Sequence, residues 1–277
     1  MKKIDIHCHT TNRKVPGTIP KSATIEQITK EMESNEVVLT NLLATYFPHK
    51  SSGVSNYRLH NWIKDNPKFC MFGSLDFEHY FYQGINELEE LTENKLIKGI
   101  KIYTCYQEID LAGKEFNQVV QLAGKYSLPM MFHVGYSYAA KRKYGKISVA
   151  TLVKPNDLDE IIAENSSVNF ILSHMGKPFF DELIDVVKKY DNVYTDMSGL
   201  VDSKYDSKLI PGSLEGVRKF LGECGPSRLL FGTDFPVQTY EDSINFIEKG
   251  MEGYSVSDKS KVYYENATKL LKFNLEE

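Results

Sequence analysis

The sequence predicts an α/β fold, a closed (β/α)8 (TIM) barrel formed by residues 1–277 as a single domain. Three observations carry this. Eight short apolar runs alternate with longer helical patterns, which implies parallel pairing through crossover helices. The length of 277 residues suits one such barrel. The segments that leave strands are often long, whereas those that enter strands are brief. In a barrel enzyme the long connections build the site at the C-terminal ends of the strands.

The predicted strands are 4–9, 37–42, 69–75, 99–103, 130–134, 169–173, 193–196 and 229–232. In the first, Lys3-Ile-Asp-Ile-His-Cys-His9, period-two alternation puts Asp5, His7 and His9 on one face and Ile4, Ile6 and Cys8 on the other. Helical spacing marks 25–34, 57–66, 84–94, 114–126, 155–165, 179–190, 213–224, 240–250 and 258–273. Pro155-Asn-Asp opens one of these, with Leu158, Ile161 and Ile162 at helical spacing. Ser257 is the expected cap of the last, whose Val262, Leu270 and Leu271 should face the barrel. The long strand-leaving segments are 10–24, 43–56, 135–154 and 197–212. A brief strand-entering one is Lys125-Tyr-Ser-Leu-Pro129.

Composition excludes several classes. The chain is 42% hydrophobic and 25% charged, with net charge −4. That leaves no basic footprint for nucleic acid and enough apolar material for one large core. No apolar run approaches the ~18 residues of a membrane span. Met-Lys-Lys leads straight into a strand without an apolar signal region. Cys8, Cys70, Cys105 and Cys224 form no CxxC pair and are expected to be free, mostly buried thiols of a reducing, cytoplasmic compartment.

Four strand ends carry metal-capable side chains. His7 and His9 end the first, His133 the fifth and His174 the sixth; Asp234 follows the eighth in Gly-Thr-Asp. Barrel closure would ring them around one mouth. Imidazole with carboxylate suits zinc, and also manganese, nickel or iron. A lone HxH pair or a single strand-end His is as readily a hydrogen-bonded core residue, and Asp234 alone could stabilise a turn. The joint pattern points to a metal. Of the seven histidines, His49, His60 and His79 fall elsewhere and are left outside the site.

The chain resembles the amidohydrolase superfamily, in the amidohydrolase-2 branch that includes aminocarboxymuconate-semialdehyde decarboxylase and related hydrolases. The matching pieces are Asp5-Ile-His-Cys-His9, Gly99-Ile-Lys-Ile102, Phe132-His133, Leu172-Ser-His-Met-Gly176, Val193-Tyr-Thr-Asp-Met-Ser198, Leu229-Leu-Phe-Gly-Thr-Asp-Phe-Pro236 and Glu265-Asn-Ala-Thr-Lys-Leu270. The resemblance implies one divalent ion held by His7, His9 and His133, with Asp234 as a further ligand. It implies His174 beside the activated water, as acid, base or additional ligand. Asp234 would take the water's proton. Relatives with two metals bridge them by a carboxylated Lys or by a Glu on strand four. Lys101 lies before that strand's end and Glu108 well into the loop, so Lys101 is expected to be buried and hydrogen-bonded or to face substrate.

Arg13, Tyr103, Tyr136, Arg142 and Lys177 are the candidate substrate contacts by position, the cations for a substrate carboxylate. Tyr138 is a further candidate for the pocket wall. The expected partner is a small-molecule substrate, with no nucleic acid and no membrane; relatives leave a homodimer open. The reading is a hydrolase of an ester, lactone or amide bond. A non-oxidative decarboxylase of an unsaturated or aromatic acid is the alternative. A ligand-binding barrel without catalysis is the alternative from another class.

Overall fold

The structure is a computed structural model that describes residues 1–12, 22–45, 53–136, 152–203 and 208–273. Strands and helices alternate as β1 (Lys3–Cys8), α1 (Ile25–Ser34), β2 (Val37–Leu43), α2 (Asn56–Ile63), β3 (Phe69–Gly73), α3 (Phe81–Glu93), β4 (Gly99–Ile102), α4 (Lys114–Tyr126) and β5 (Met130–Phe132). They continue as α5 (Asp159–Glu164), β6 (Phe170–Leu172), α6 (Phe180–Lys189), β7 (Val193–Asp196), α7 (Ser213–Cys224), β8 (Leu229–Leu230) and α8 (Tyr240–Gly250). Every predicted strand is present, most of them shorter than predicted. The eight pair in chain order in one sheet, all parallel. β1 and β8 meet through Ile6 N to Phe231 O at 3.0 Å, Asp234 N to His7 O at 2.7 Å and His9 N to Phe235 O at 2.8 Å. A short antiparallel pair, Val201–Asp202 with Lys208–Leu209, follows β7.

Helix starts follow local chemistry. Thr24 caps α1 by accepting from Gln27 N, and Thr239 caps α8 by accepting from Asp242 N. The last helical segment starts earlier than the sequence suggests. Ser255, not Ser257, caps it by accepting from Asp258 N. It then runs through a π-helical turn, Lys261–Glu265, into Asn266–Leu271.

Two apolar layers result. Between strands and helices lies the larger core, which includes Cys8, Ile28, Leu59, Leu88, Phe116, Leu158 and Tyr240. Inside the barrel, Ile4, Ile6, Leu39, Phe72, Met131, Ile171, Tyr194 and Leu230 pack together, and Ala267, Leu270 and Leu271 join them. Val262 lies in the outer layer, while Leu270 and Leu271 reach the inner one. All four cysteines are free; Cys224 is half-buried and the other three are buried. Among the described residues no helix is long and apolar enough to cross a membrane.

The first strand departs from strict alternation. Asp5 pairs with Thr40 but Cys8 with Leu42, so three steps on β1 match two on β2, which is a bulge. The Asn41 side chain donates to the Ile6 carbonyl at 3.0 Å. Ile6 and His7 consequently both face the lumen: a Cβ on Gly232 would meet His7 Cβ at 3.0 Å and Ile6 Cγ2 at 3.5 Å. Asp5 is turned outward. Its carboxylate accepts from Thr233 N at 3.0 Å and Thr233 Oγ1 at 2.7 Å, on the side of Cys8 and Tyr240. The expectation that Asp5 shares a face with His7 and His9 is therefore corrected.

Candidate metal centre

β1 delivers His7 and His9, the end of β5 His133, the end of β6 His174 and the segment after β8 Asp234. His7 Nε2 lies 3.6 Å and His9 Nε2 3.3 Å from Asp234 Oδ1. One donor atom from each of the three lies within 4.8 Å of the others. His174 Nε2 stands 3.2 Å from His133 Nδ1, which brings His133 into the same cluster. Asp234 and His174 both have left-handed backbones, at φ 56° and 59°. Such conformations are uncommon for non-glycine residues and gather at functional sites. At Asp234 the conformation is fixed from both sides: its N–H is on His7 O and the preceding Thr233 is on Asp5. Burial pushes the Asp5 carboxyl up to about 7, against hydrogen bonds from Thr233 and the His7 N–H.

The turn after β7 supplies groups that sequence reasoning did not assign. Asp196 is fully buried. Its Oδ2 lies 3.1 Å from His7 Nδ1. Its Oδ1 accepts from His174 N and Ser198 N, each at 3.1 Å, and from the Ser198 hydroxyl. Ser198 Oγ also stands 3.1 Å from His7 Nδ1 and 2.9 Å from His174 Nδ1. The Ser198 carbonyl is 3.1 Å from His174 Nδ1. His7, His174 and Asp196 thus form a second close group. Gly199, at φ +63°, completes the turn. A Cβ there would stand 3.0 Å from Asp234 Oδ2, 3.0 Å from His174 Nδ1 and 3.3 Å from Lys177 Nζ. The available signal was position alone: Asp196 ends a strand, as His133 and His174 do.

The electrostatics favour neutral imidazoles around an ionised carboxylate. Burial, then the charge of Lys101, drives His7 well below the ordinary range. Burial, then the neighbouring His133 and His7, does the same to His174. Burial would raise Asp234, but the His9 hydrogen bond and the neighbouring His7, His9 and Lys177 outweigh it and hold the carboxyl low. Two neutral imidazoles and a carboxylate are a donor set for a first-row divalent cation. The residues present therefore fit a metal.

Lys101 is fully buried and donates to Ser173 Oγ at 3.2 Å; burial pulls its amine down to about 8, against the charges of Asp196 and Asp234. Lys177 donates to the Gly199 carbonyl; its amine is lowered by burial, with Asp234 and Asp196 opposing. Tyr103 is buried, its hydroxyl on Ala44 O at 2.9 Å and its ring 6.4 Å from that of His9. Tyr136 is 40% exposed, against Phe179. Arg13, Tyr138 and Arg142 lie outside the described residues.

No curated protein matches. Among solved structures, the chain superposes on a probable 2-pyrone-4,6-dicarboxylic acid hydrolase of Acinetobacter baumannii with TM-score 0.70 and 15% identity, covering 99% of this chain and 100% of that one. It superposes on 5-carboxyvanillate decarboxylase of Sphingomonas paucimobilis with TM-score 0.67 and 15% identity, covering 99% of each. A Burkholderia multivorans amidohydrolase with bound zinc gives TM-score 0.69 and 16% identity over 99% of this chain and 100% of that one. These likenesses establish the barrel. The profile of the amidohydrolase-2 family, described as amidohydrolase, matches residues 4–273, and the chain belongs to that family.

Proposed function

We propose that this protein is a metal-dependent hydrolase that cleaves an ester, lactone or amide bond in a small, anionic molecule. The carrying observation is the convergence of His7 Nε2 and His9 Nε2 on Asp234 Oδ1, at 3.6 and 3.3 Å. His7, His9 and Asp234 would hold the ion, with His133 completing the set and His174 beside it, and we assign it as zinc from the imidazole and carboxylate donors. A bound zinc lowers the pKa of water to ~7 and polarises a carbonyl.

The protein's own groups do the rest. Asp234, kept ionised, accepts the attacking water's proton and hands it to the leaving oxygen or nitrogen. His174, held neutral, serves as base rather than as a pre-charged acid. Lys177 Nζ, beside Asp234 and His174, presents a cation to a substrate carboxylate. This agrees with a neighbour whose name specifies a dicarboxylic acid.

A second reading has its own support, since decarboxylases superpose as well as the hydrolase does. There a carbon–carbon bond breaks, carbon dioxide leaves and a proton is delivered to carbon. The deciding experiment begins with metal content of the wild type and of a His7→Ala/His9→Ala variant. Lactones, esters and aromatic acids are then screened. About one metal equivalent, absent from the variant, with hydrolysis and no carbon dioxide release, is the expected result. Release of carbon dioxide without hydrolysis would replace the first reading by the second. No metal in the wild type, even after adding zinc or manganese, would remove both.

A further inference from the structure

We infer that Asp196 and Ser198 are positioning residues that fix the tautomers of His7 and His174, and thereby decide which imidazole nitrogens are open to a metal. The inference rests on the reading of His7 as a ligand and adds what prepares it.

The proton positions follow from which groups can only accept. A carboxylate oxygen has no proton to give, so the contact of Asp196 Oδ2 with His7 Nδ1 at 3.1 Å places a proton on Nδ1. The His7 lone pair is then on Nε2, the nitrogen that faces Asp234. A carbonyl likewise only accepts, so Ser198 O at 3.1 Å places a proton on His174 Nδ1. In a neutral His174 the lone pair is on Nε2, which faces His133 Nδ1 at 3.2 Å. That contact needs a proton on His133 Nδ1 and leaves the His133 lone pair on Nε2.

The Ser198 hydroxyl gives its proton to Asp196 Oδ1 and turns its lone pairs to His7 Nδ1 and His174 Nδ1. One arrangement of protons satisfies every one of these contacts. Asp196 and Ser198 are both fully buried, so they act through the two histidines.

The isosteric variant Asp196→Asn has a definite consequence. Three donors converge on Oδ1, from His174 N, Ser198 N and Ser198 Oγ. The amide oxygen must stay there, which turns the NH2 group towards His7 Nδ1. An amide nitrogen only donates, so His7 has to carry its proton on Nε2, where it blocks ligation. Loss of such an outer partner weakens metal binding by about 10–100-fold.

The test is performed on metal-free protein with 15N-labelled histidine. Long-range proton–nitrogen correlation spectra report each ring's tautomer, and zinc affinity is measured by competition with a chromophoric chelator. The expected result is His7 and His174 as Nδ1–H tautomers in the wild type. Asp196→Asn should show His7 as Nε2–H and bind zinc at least 10-fold more weakly. Wild-type His7 found as the Nε2–H tautomer overturns the inference without any variant, even if Asp196→Asn fails to fold. Unchanged tautomer and zinc affinity in a folded Asp196→Asn overturn it as well. If the wild-type tautomers are as assigned but zinc does not bind, the positioning role stands and the hydrolase reading falls.

Discussion

The two halves of the barrel lumen are made by the same strands and behave differently. In the lower half, Met131, Ile171, Tyr194 and Leu230 meet Ile4, Leu39 and Phe72, and Leu270 and Leu271 pack with them. Two residues further along the same strands stand His133, Ser173, Asp196 and Gly232. Period-two geometry keeps both sets pointing inward, so only depth separates packing from chemistry. The apolar layer is the dry floor that makes the charges above it strong. The division matches the general behaviour of barrels, in which one end carries stability and the other carries the site.

That division can be broken from above. Asp234→Asn keeps the shape of the carboxylate but cannot take a proton. It should lower kcat by about 10²–10⁴-fold, the usual contribution of a general base, and leave the chemical-denaturation midpoint near that of the wild type. Steady-state kinetics beside urea unfolding checks both. A large loss of stability would mean that the upper half also holds the barrel together.

It can be broken from below. Phe72 is fully buried in the inner layer. Phe72→Ala should cost about 3–5 kcal/mol of stability, with kcat per folded molecule within a few-fold of the wild type. A fall in kcat as deep as that of Asp234→Asn would show that the floor positions the site and does not merely underlie it.

The sequence announces this architecture unevenly. All eight strands are legible because each is a short apolar run between helical patterns, and His7, His9, His133, His174 and Asp234 stand out because each lies at or just beyond the C-terminal part of a strand. Asp5 misleads. The rule of alternation is sound, but the bulge between Asp5 and Cys8 reverses its outcome, and a bulge depends on pairing with β2. Asp196 is hidden for another reason. The chain has 37 acidic residues, and only its place at a strand end separates one whose partner, His7, lies 189 positions away. Ser198 and Gly199 matter through an Oγ, two carbonyls and a missing Cβ, none of which a pattern of residue types reveals. The cap of the last helix slips by two residues because Ser255 and Ser257 are equally good capping residue types, each for the N–H three positions on, and only the backbone decides between them.

Lys101 belongs to both halves. It pairs in register with Met131 of the lower layer, yet its Nζ reaches Ser173 Oγ. Its amine is lowered from 10.5 to about 8, chiefly by burial. Between those values the unfolded chain holds a proton that the folded protein has released, so stability rises with pH across the window. Below pH 8 both states are protonated and the full cost of the buried charge remains. At 1.36 kcal/mol per unit, that cost is on the order of 3 kcal/mol. Lys101→Met should therefore stabilise the protein at pH 7, by less than this figure because Ser173 loses its donor. It should also flatten the rise between pH 8 and 10 that is expected of the wild type, and urea unfolding across that range checks both. Parallel pH profiles for the two proteins would mean that the lysine is as well solvated as an exposed one. The dry floor would then end below β4 rather than at the level of Ser173.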